Sequence, residues 1–159
     1  QGTLENLQIA MVGDLKYGRT VHSLTQAMCN FGATFHFVSP QELKMPSSVK
    51  MSVKNAGLKY YQYTDLRDVI STADIIYMTR VQRERFPDPM EYERVKDSCI
   101  LTADMLKGCK PNMRILHPLP RVNEITTDVD STPYAYYFRQ AQNGVYVRQA
   151  LMAAILGVR

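Results

Sequence analysis

The sequence predicts an α/β fold: a doubly wound, mainly parallel five-stranded sheet in a Rossmann-like three-layer arrangement. Two observations lead there. Short apolar, β-branched runs recur along the chain, and stretches of helical periodicity separate them. The runs are mostly continuous rather than alternating, as strands covered on both faces require. Strand, helix and strand repeated in this way give βαβ units with right-handed crossovers.

Taken in order, QIAMV (8–12) is the first strand. Over 19–31, Val21, Leu24, Ala27, Met28 and Phe31 fall three or four apart and predict one apolar helix stripe. TFHFV (34–38) is the second strand. Pro46 and Ser47 open a helix over 47–56, and Gly57 stops it. LKYYQY (58–63) is a weaker third strand, followed by a short helix over 65–71. DIIYM (74–78) is the fourth strand, and helices are expected at 91–96 and 102–107. MRILH (113–117) is the fifth strand. A last helix is predicted for 143–158, a range that contains VYVRQALMAAILGV (145–158). Val147, Ala150, Leu151, Ala154 and Ile155 make one face, while Met152 and Leu156 add apolar surface on another. A helix apolar nearly all round is covered on more than one side. A second domain or a second subunit is therefore expected to pack on it, unless the helix is merely hydrophobic.

A length of 159 residues suits one domain, 1–159. Hydrophobic content of 45% with 21% charged residues is that of an ordinary globular chain. The net charge of +4 comes from scattered basic residues without a recognition motif, which fits a small-anion site at least as well as nucleic acid. Cys29, Cys99 and Cys109 form no CxxC pair, and an odd count suits plain thiols in a reducing compartment over a disulfide framework or zinc site. No apolar run is long enough to span a membrane. The chain begins at Gln1, which suits a processed or excised piece, so a lost targeting segment would leave no trace.

In an open parallel sheet, ligands bind outside the carboxyl ends of the strands. The segments to read are therefore GDLKYGRTVHS (13–23), TRVQRER (79–85) and HPLPR (117–121). Each contains arginine, and three guanidiniums meeting in one crevice would take an anion with more than one carboxylate or phosphate. Gly13 and Gly18 do not make GxGxxG, and Ser39-Pro40 stands where a dinucleotide site needs an acid, so a nicotinamide cofactor is not expected. Arg19 alone is more often a surface cation, and Arg83 fits a solvated loop. Arg80 and Gln82 alternate in an extended segment and would point the same way, able to read one carboxylate together. His117 reads equally as a ligand and as a satisfied core histidine. Pro118 and Pro120 stiffen this turn where Gly or Ser would be usual. No nucleophile, catalytic triad or metal cluster is evident.

These segments resemble the aspartate-binding half of the aspartate carbamoyltransferase family. The matching stretches are MVGDLKYGRTVHSL (11–24), YMTRVQRERF (77–86), LHPLPRVNEI (116–125) and YFRQAQNGVYVRQALMA (137–153). The related ornithine enzymes resemble HCLP where this chain has HPLP, so Pro118 places it on the aspartate side. The family's first domain, with its Ser-Thr-Arg-Thr-type carbamoyl-phosphate motif, is absent. The resemblance implies that the terminal helix crosses to that domain and that the Leu119–Pro120 bond is cis. It assigns Arg19, Arg80 and Gln82 to the two aspartate carboxylates and the carbonyls of Pro118 and Leu119 to the reacting groups. Arg85, His117, Pro120 and Arg121 would support the loop. It further implies a cytoplasmic homotrimer of full-length chains, with regulatory subunits or fusion domains as further partners and no metal or organic cofactor. The rivals are a carbamoyltransferase with another amino acid acceptor and a non-catalytic module of the same fold.

Overall fold

A computed structural model describes residues 1–158. Five strands, β1 (Gln8–Val12), β2 (Thr34–Val38), β3 (Tyr60–Tyr63), β4 (Ile75–Met78) and β5 (Arg114–Leu116), form one sheet in the order β3-β2-β1-β4-β5. Every neighbouring pair is parallel. The first two strands run over the predicted residues; the others are trimmed at their ends.

The continuous apolar runs are explained by the pleat. Successive side chains point to opposite faces, and here both faces are covered. Ile9, Met11, Phe35, Phe37 and Tyr77 pack on one side with Val21, Met28, Val49 and Val53 from α1 (Arg19–Met28) and α2 (Ser47–Asn55). Ala10, Val12, Val38, Ile76, Met78 and Ile115 pack on the other with Leu66, Val69, Leu101, Leu106, Met113 and Val129. That second layer comes largely from 3-10 turns and irregular chain. The helices predicted at 65–71 and 102–107 are the single 3-10 turns Leu66–Asp68 and Asp104–Leu106. Asp65 caps the first of these by accepting the Arg67 amide, a local bond that favours a turn over a longer helix.

The stripe on α1 differs from the prediction. Val21, Thr25 and Met28 are buried, Leu24 is half-buried, and Ala27 and Phe31 are exposed. Thr25 takes an inward position because its hydroxyl donates to the Val21 carbonyl at 2.7 Å, which leaves its methyl for the core. α3 (Pro89–Val95) is capped by Asp88, whose side chain accepts the Met90 amide.

The last helix, α4 (Tyr137–Leu156), begins six residues before the predicted 143. Tyr137 is fully buried at its start and anchors the first turn, and the helix runs through Gly144 without a break. Gly157 ends the helix in the left-handed region, φ +66. Phe138 is already exposed in the first turn, and beyond that turn α4 leaves the body of the domain: Val145, Tyr146, Val147, Leu151, Met152, Ile155 and Leu156 are all exposed.

Candidate functional site

The strand order brings the carboxyl ends of β1, β4 and β5 side by side, and chain direction across the sheet switches between β1 and β4. A cleft of about 210 Å³ opens there, lined by Gly18, Arg19, Thr20, Thr79, Arg80, Gln82, Arg85 and the loop His117–Pro120. All three segments singled out in the sequence thus contribute.

The turn after β1 is shaped by two glycines. Gly13 has φ +108, and a Cβ there would lie 2.3 Å from the Thr79 carbonyl oxygen. A Cβ on Gly18 would lie 2.4 Å from the Asp14 carbonyl oxygen. Only hydrogen fits at either position, which lets β1 and β4 leave the sheet in close contact and sets α1 with Arg19 and Thr20 at the cleft.

In the turn after β4, Gln82 has extended dihedrals (φ −95, ψ 114), and Arg83–Arg85 form a 3-10 turn. Arg80 Nη2 and Gln82 Nε2 reach the same oxygen, Glu84 Oε1, at 3.5 and 3.3 Å. Both side chains thus reach one carboxylate oxygen, that of the chain's own Glu84. Arg83 is exposed. Arg85 lines the cleft and donates to the Tyr17 carbonyl, tying this turn to the one after β1. Its Nη1 also lies 3.9 Å from Asp14 Oδ2, a buried oxygen without a hydrogen-bond partner among the described residues. Burial raises the Asp14 carboxyl above its ordinary value, offset in part by the Tyr17 amide at 2.8 Å and by Arg85.

The loop after β5 carries the cis Leu119–Pro120 bond, and Leu119 stands at φ +52. His117 is buried with both ring nitrogens engaged: Nδ1 accepts the Leu119 amide at 2.8 Å, and Nε2 lies 2.7 Å from Glu124 Oε1. Of the two readings of His117, the satisfied buried histidine is the one its geometry fits, although its residue also borders the cleft. Burial works to raise the Glu124 carboxyl. The hydrogen bonds from His117 and from the amides of Val122 and Glu124 itself outweigh it and hold the group below its ordinary value.

Arg121 departs from the expected convergence of one guanidinium per turn. It points away from the cleft, forks onto both oxygens of Asp130, and donates to the Tyr137 hydroxyl at 3.1 Å. A carboxylate within reach of both guanidinium arms is a better partner than open solvent. The three arginines at the cleft are Arg19, Arg80 and Arg85, two of them from the same turn. Sequence reasoning did not single out Asp14, Glu124, Asp130 or Gln140. Glu124 had the one available signal: an acid seven residues after His117 across a proline-stiffened turn.

Comparison with known proteins fits this geometry. The family model described as the Asp/Orn binding domain of aspartate/ornithine carbamoyltransferase matches residues 5–155. The aspartate carbamoyltransferase catalytic subunit of Phocaeicola vulgatus is 64% identical over 159 residues, covering 99% of this chain and 51% of that protein. The solved catalytic subunit of M. jannaschii aspartate transcarbamoylase superposes with a TM-score of 0.90 at 44% identity, over 98% of this chain and 52% of that one. The Trypanosoma cruzi aspartate transcarbamoylase, solved with carbamoyl phosphate and aspartate, gives 0.87 at 33% identity, over 95% and 50%. The chain spans about half the length of the curated relatives it matches. It belongs to the aspartate/ornithine carbamoyltransferase family, as that family's Asp/Orn binding domain.

Proposed function

We propose that this domain is the acceptor half of an aspartate carbamoyltransferase, gripping L-aspartate while a first domain presents carbamoyl phosphate. The observation that carries the reading is the shared oxygen: Arg80 and Gln82, both lining the cleft, already meet on a single carboxylate, that of the exposed Glu84. A guanidinium and a neutral amide aimed at one carboxylate are a carboxylate-reading pair, and Arg19 across the cleft is a cation for a second carboxylate. On this reading Arg19, Arg80 and Gln82 hold the two carboxylates of aspartate. The carbonyls of Pro118 and Leu119 accept hydrogen bonds from its amine. Arg85 holds the turns after β1 and β4 together, while His117, Pro120 and Arg121 fix the loop after β5.

The neutral amine then attacks the carbonyl carbon of carbamoyl phosphate, the bond from that carbon to the phosphate oxygen breaks, and the proton lost by the amine leaves with the phosphate. N-carbamoyl-L-aspartate and phosphate result, a committing step of pyrimidine synthesis. This half supplies proximity and orientation, an effect that can reach about 7–11 kcal/mol. The groups that stabilise the oxyanion and departing phosphate belong to the first domain and to a neighbouring subunit of a cytoplasmic homotrimer. The apolar, exposed outer turns of α4 are the surface that packs on that first domain.

Titration with L-aspartate and with succinate, followed by amide NMR, tests the site. Shifts confined to Arg19, Arg80, Gln82 and residues 117–121 are expected. Saturating ligand without shifts there would sink the assignment. Assayed with both substrates, the 159-residue chain alone should give no turnover. Turnover above background would refute the two-domain reading. An acceptor screen on the chain rejoined to a first domain separates aspartate from other amino acid acceptors.

A further inference from the structure

The loop from His117 to Glu124 is held by a buried acid–imidazole pair. Gln140 Oε1 on α4 accepts the His117 amide at 2.9 Å. His117 Nδ1 accepts the Leu119 amide at 2.8 Å, His117 Nε2 meets Glu124 Oε1 at 2.7 Å, and Glu124 Oε2 accepts the Val122 amide at 3.1 Å. The bond from Leu119 needs a bare lone pair on Nδ1, so the ring proton sits on Nε2 and is donated to Glu124. Glu124 is therefore an acceptor on both oxygens, one facing the ring and the other the Val122 amide. Both His117 and Glu124 are almost wholly buried, so water cannot replace either bond. Leu119 has most need of its bond, because in the left-handed region at φ +52 the Cβ of a leucine crowds its own backbone.

We propose that Glu124, acting through the tautomer of His117, is the positioning residue that sets the Pro118 and Leu119 carbonyls in the cleft. The part of this that concerns the acceptor amine rests on the aspartate reading of the site. The link runs from Glu124 to the ring proton, from the bare Nδ1 to the Leu119 amide, and so to the peptide planes on either side of Leu119. Nothing in it touches the carboxylate grip of Arg19, Arg80 and Gln82.

Glutamine is the informative substitute because it fills the same space with one acceptor and one donor. If its oxygen faces Nε2–H, its NH2 is forced against the Val122 N–H. If its oxygen faces Val122, its NH2 points at Nε2, which drives the ring proton to Nδ1 and breaks the bond from Leu119. Aspartate keeps two acceptor oxygens on a shorter stem.

The test is 15N NMR of the imidazole rings in the 159-residue chain, with His117→Asn identifying the His117 signals among those of the three histidines. In the wild-type chain His117 should show the Nε2–H tautomer. Glu124→Gln should shift it toward Nδ1–H or a mixture and move the Leu119 amide, and Glu124→Asp should restore part of the Nε2–H signal. Affinities for two ligands are read on the same samples. Aspartate, which has an amine, should weaken about tenfold in Glu124→Gln, the scale of one buried hydrogen bond. Succinate, which lacks the amine, should change less than about twofold. An unchanged tautomer and Leu119 amide in a folded Glu124→Gln chain would overturn the proposal, and so would equal losses for both ligands. A wild-type chain that bound neither ligand would sink the aspartate reading instead; the tautomer would still decide the role of Glu124.

Discussion

Single residues at this cleft differ in what they can be exchanged for. Arg80 works with Gln82 on a single carboxylate oxygen, so Arg80→Ala removes a charge-assisted bond and should weaken succinate binding by about ten- to a hundredfold, read by NMR titration. Arg80→Lys should recover little, because an ammonium cannot reproduce the planar geometry. Gly13 is constrained sterically: with Thr79 O only 2.3 Å from the position of a Cβ, Gly13→Ala should destabilise the chain by more than about 2 kcal/mol in urea unfolding. These positions were legible in the sequence, since Gly13, Arg80 and Gln82 lie just after strands whose pattern was plain. Arg121 was not, because its partner Asp130 and that partner's neighbour Tyr137 come from later segments that no local pattern connects to it.

Among the elements, the strands could be read because burial on both faces leaves a continuous apolar signature. The second covering layer could not, because a 3-10 turn of three residues has too few positions to show a period. Apolar content on several faces of α4 was also legible, while its start at Tyr137 was not, because burial of one tyrosine decides it. The same helix supports a prediction. Leu151 and Ile155 are 59% and 75% exposed, so Leu151→Glu with Ile155→Glu should leave the unfolding midpoint of this chain within about 0.5 kcal/mol of wild type. If α4 packs on a first domain as proposed above, the pair should also abolish association with a separately expressed first domain of the family, measured by calorimetry. Retained association would mean that another face of α4 is the interface.

For the molecule as a whole, acid stability is set by carboxylates of opposite tendency. Asp130 is held below its ordinary value chiefly by the hydrogen bond from Arg121, and Glu124 is lowered as well. Their contributions are present above the ordinary carboxylate range and vanish as pH falls through the folded values. Asp14 is raised by burial, so the folded chain keeps that proton to higher pH than the unfolded chain does. Its charged form disfavours folding at neutral pH, and that penalty fades toward the ordinary value of 3.8. Asp14→Asn, which can still accept the Tyr17 amide, should raise the urea midpoint at pH 7 and lose that advantage near pH 4. An equal gain at both pH values would show that something other than the buried charge is responsible.

α4 also has a mechanical meaning. It is anchored at Tyr137, touches the loop after β5 through Gln140, and runs free to Leu156. At 1.5 Å of rise per residue, Gln140 lies about 4.5 Å from the pivot and the tip about 28 Å. The helix is thus a lever with a ratio of about six: a swing of 3 Å at the tip displaces Gln140 by about 0.5 Å. That is enough to stretch a 2.9 Å hydrogen bond to the His117 amide toward its limit. Whatever seats on the outer turns of α4 therefore has a geared-down grip on the loop that carries the two carbonyls.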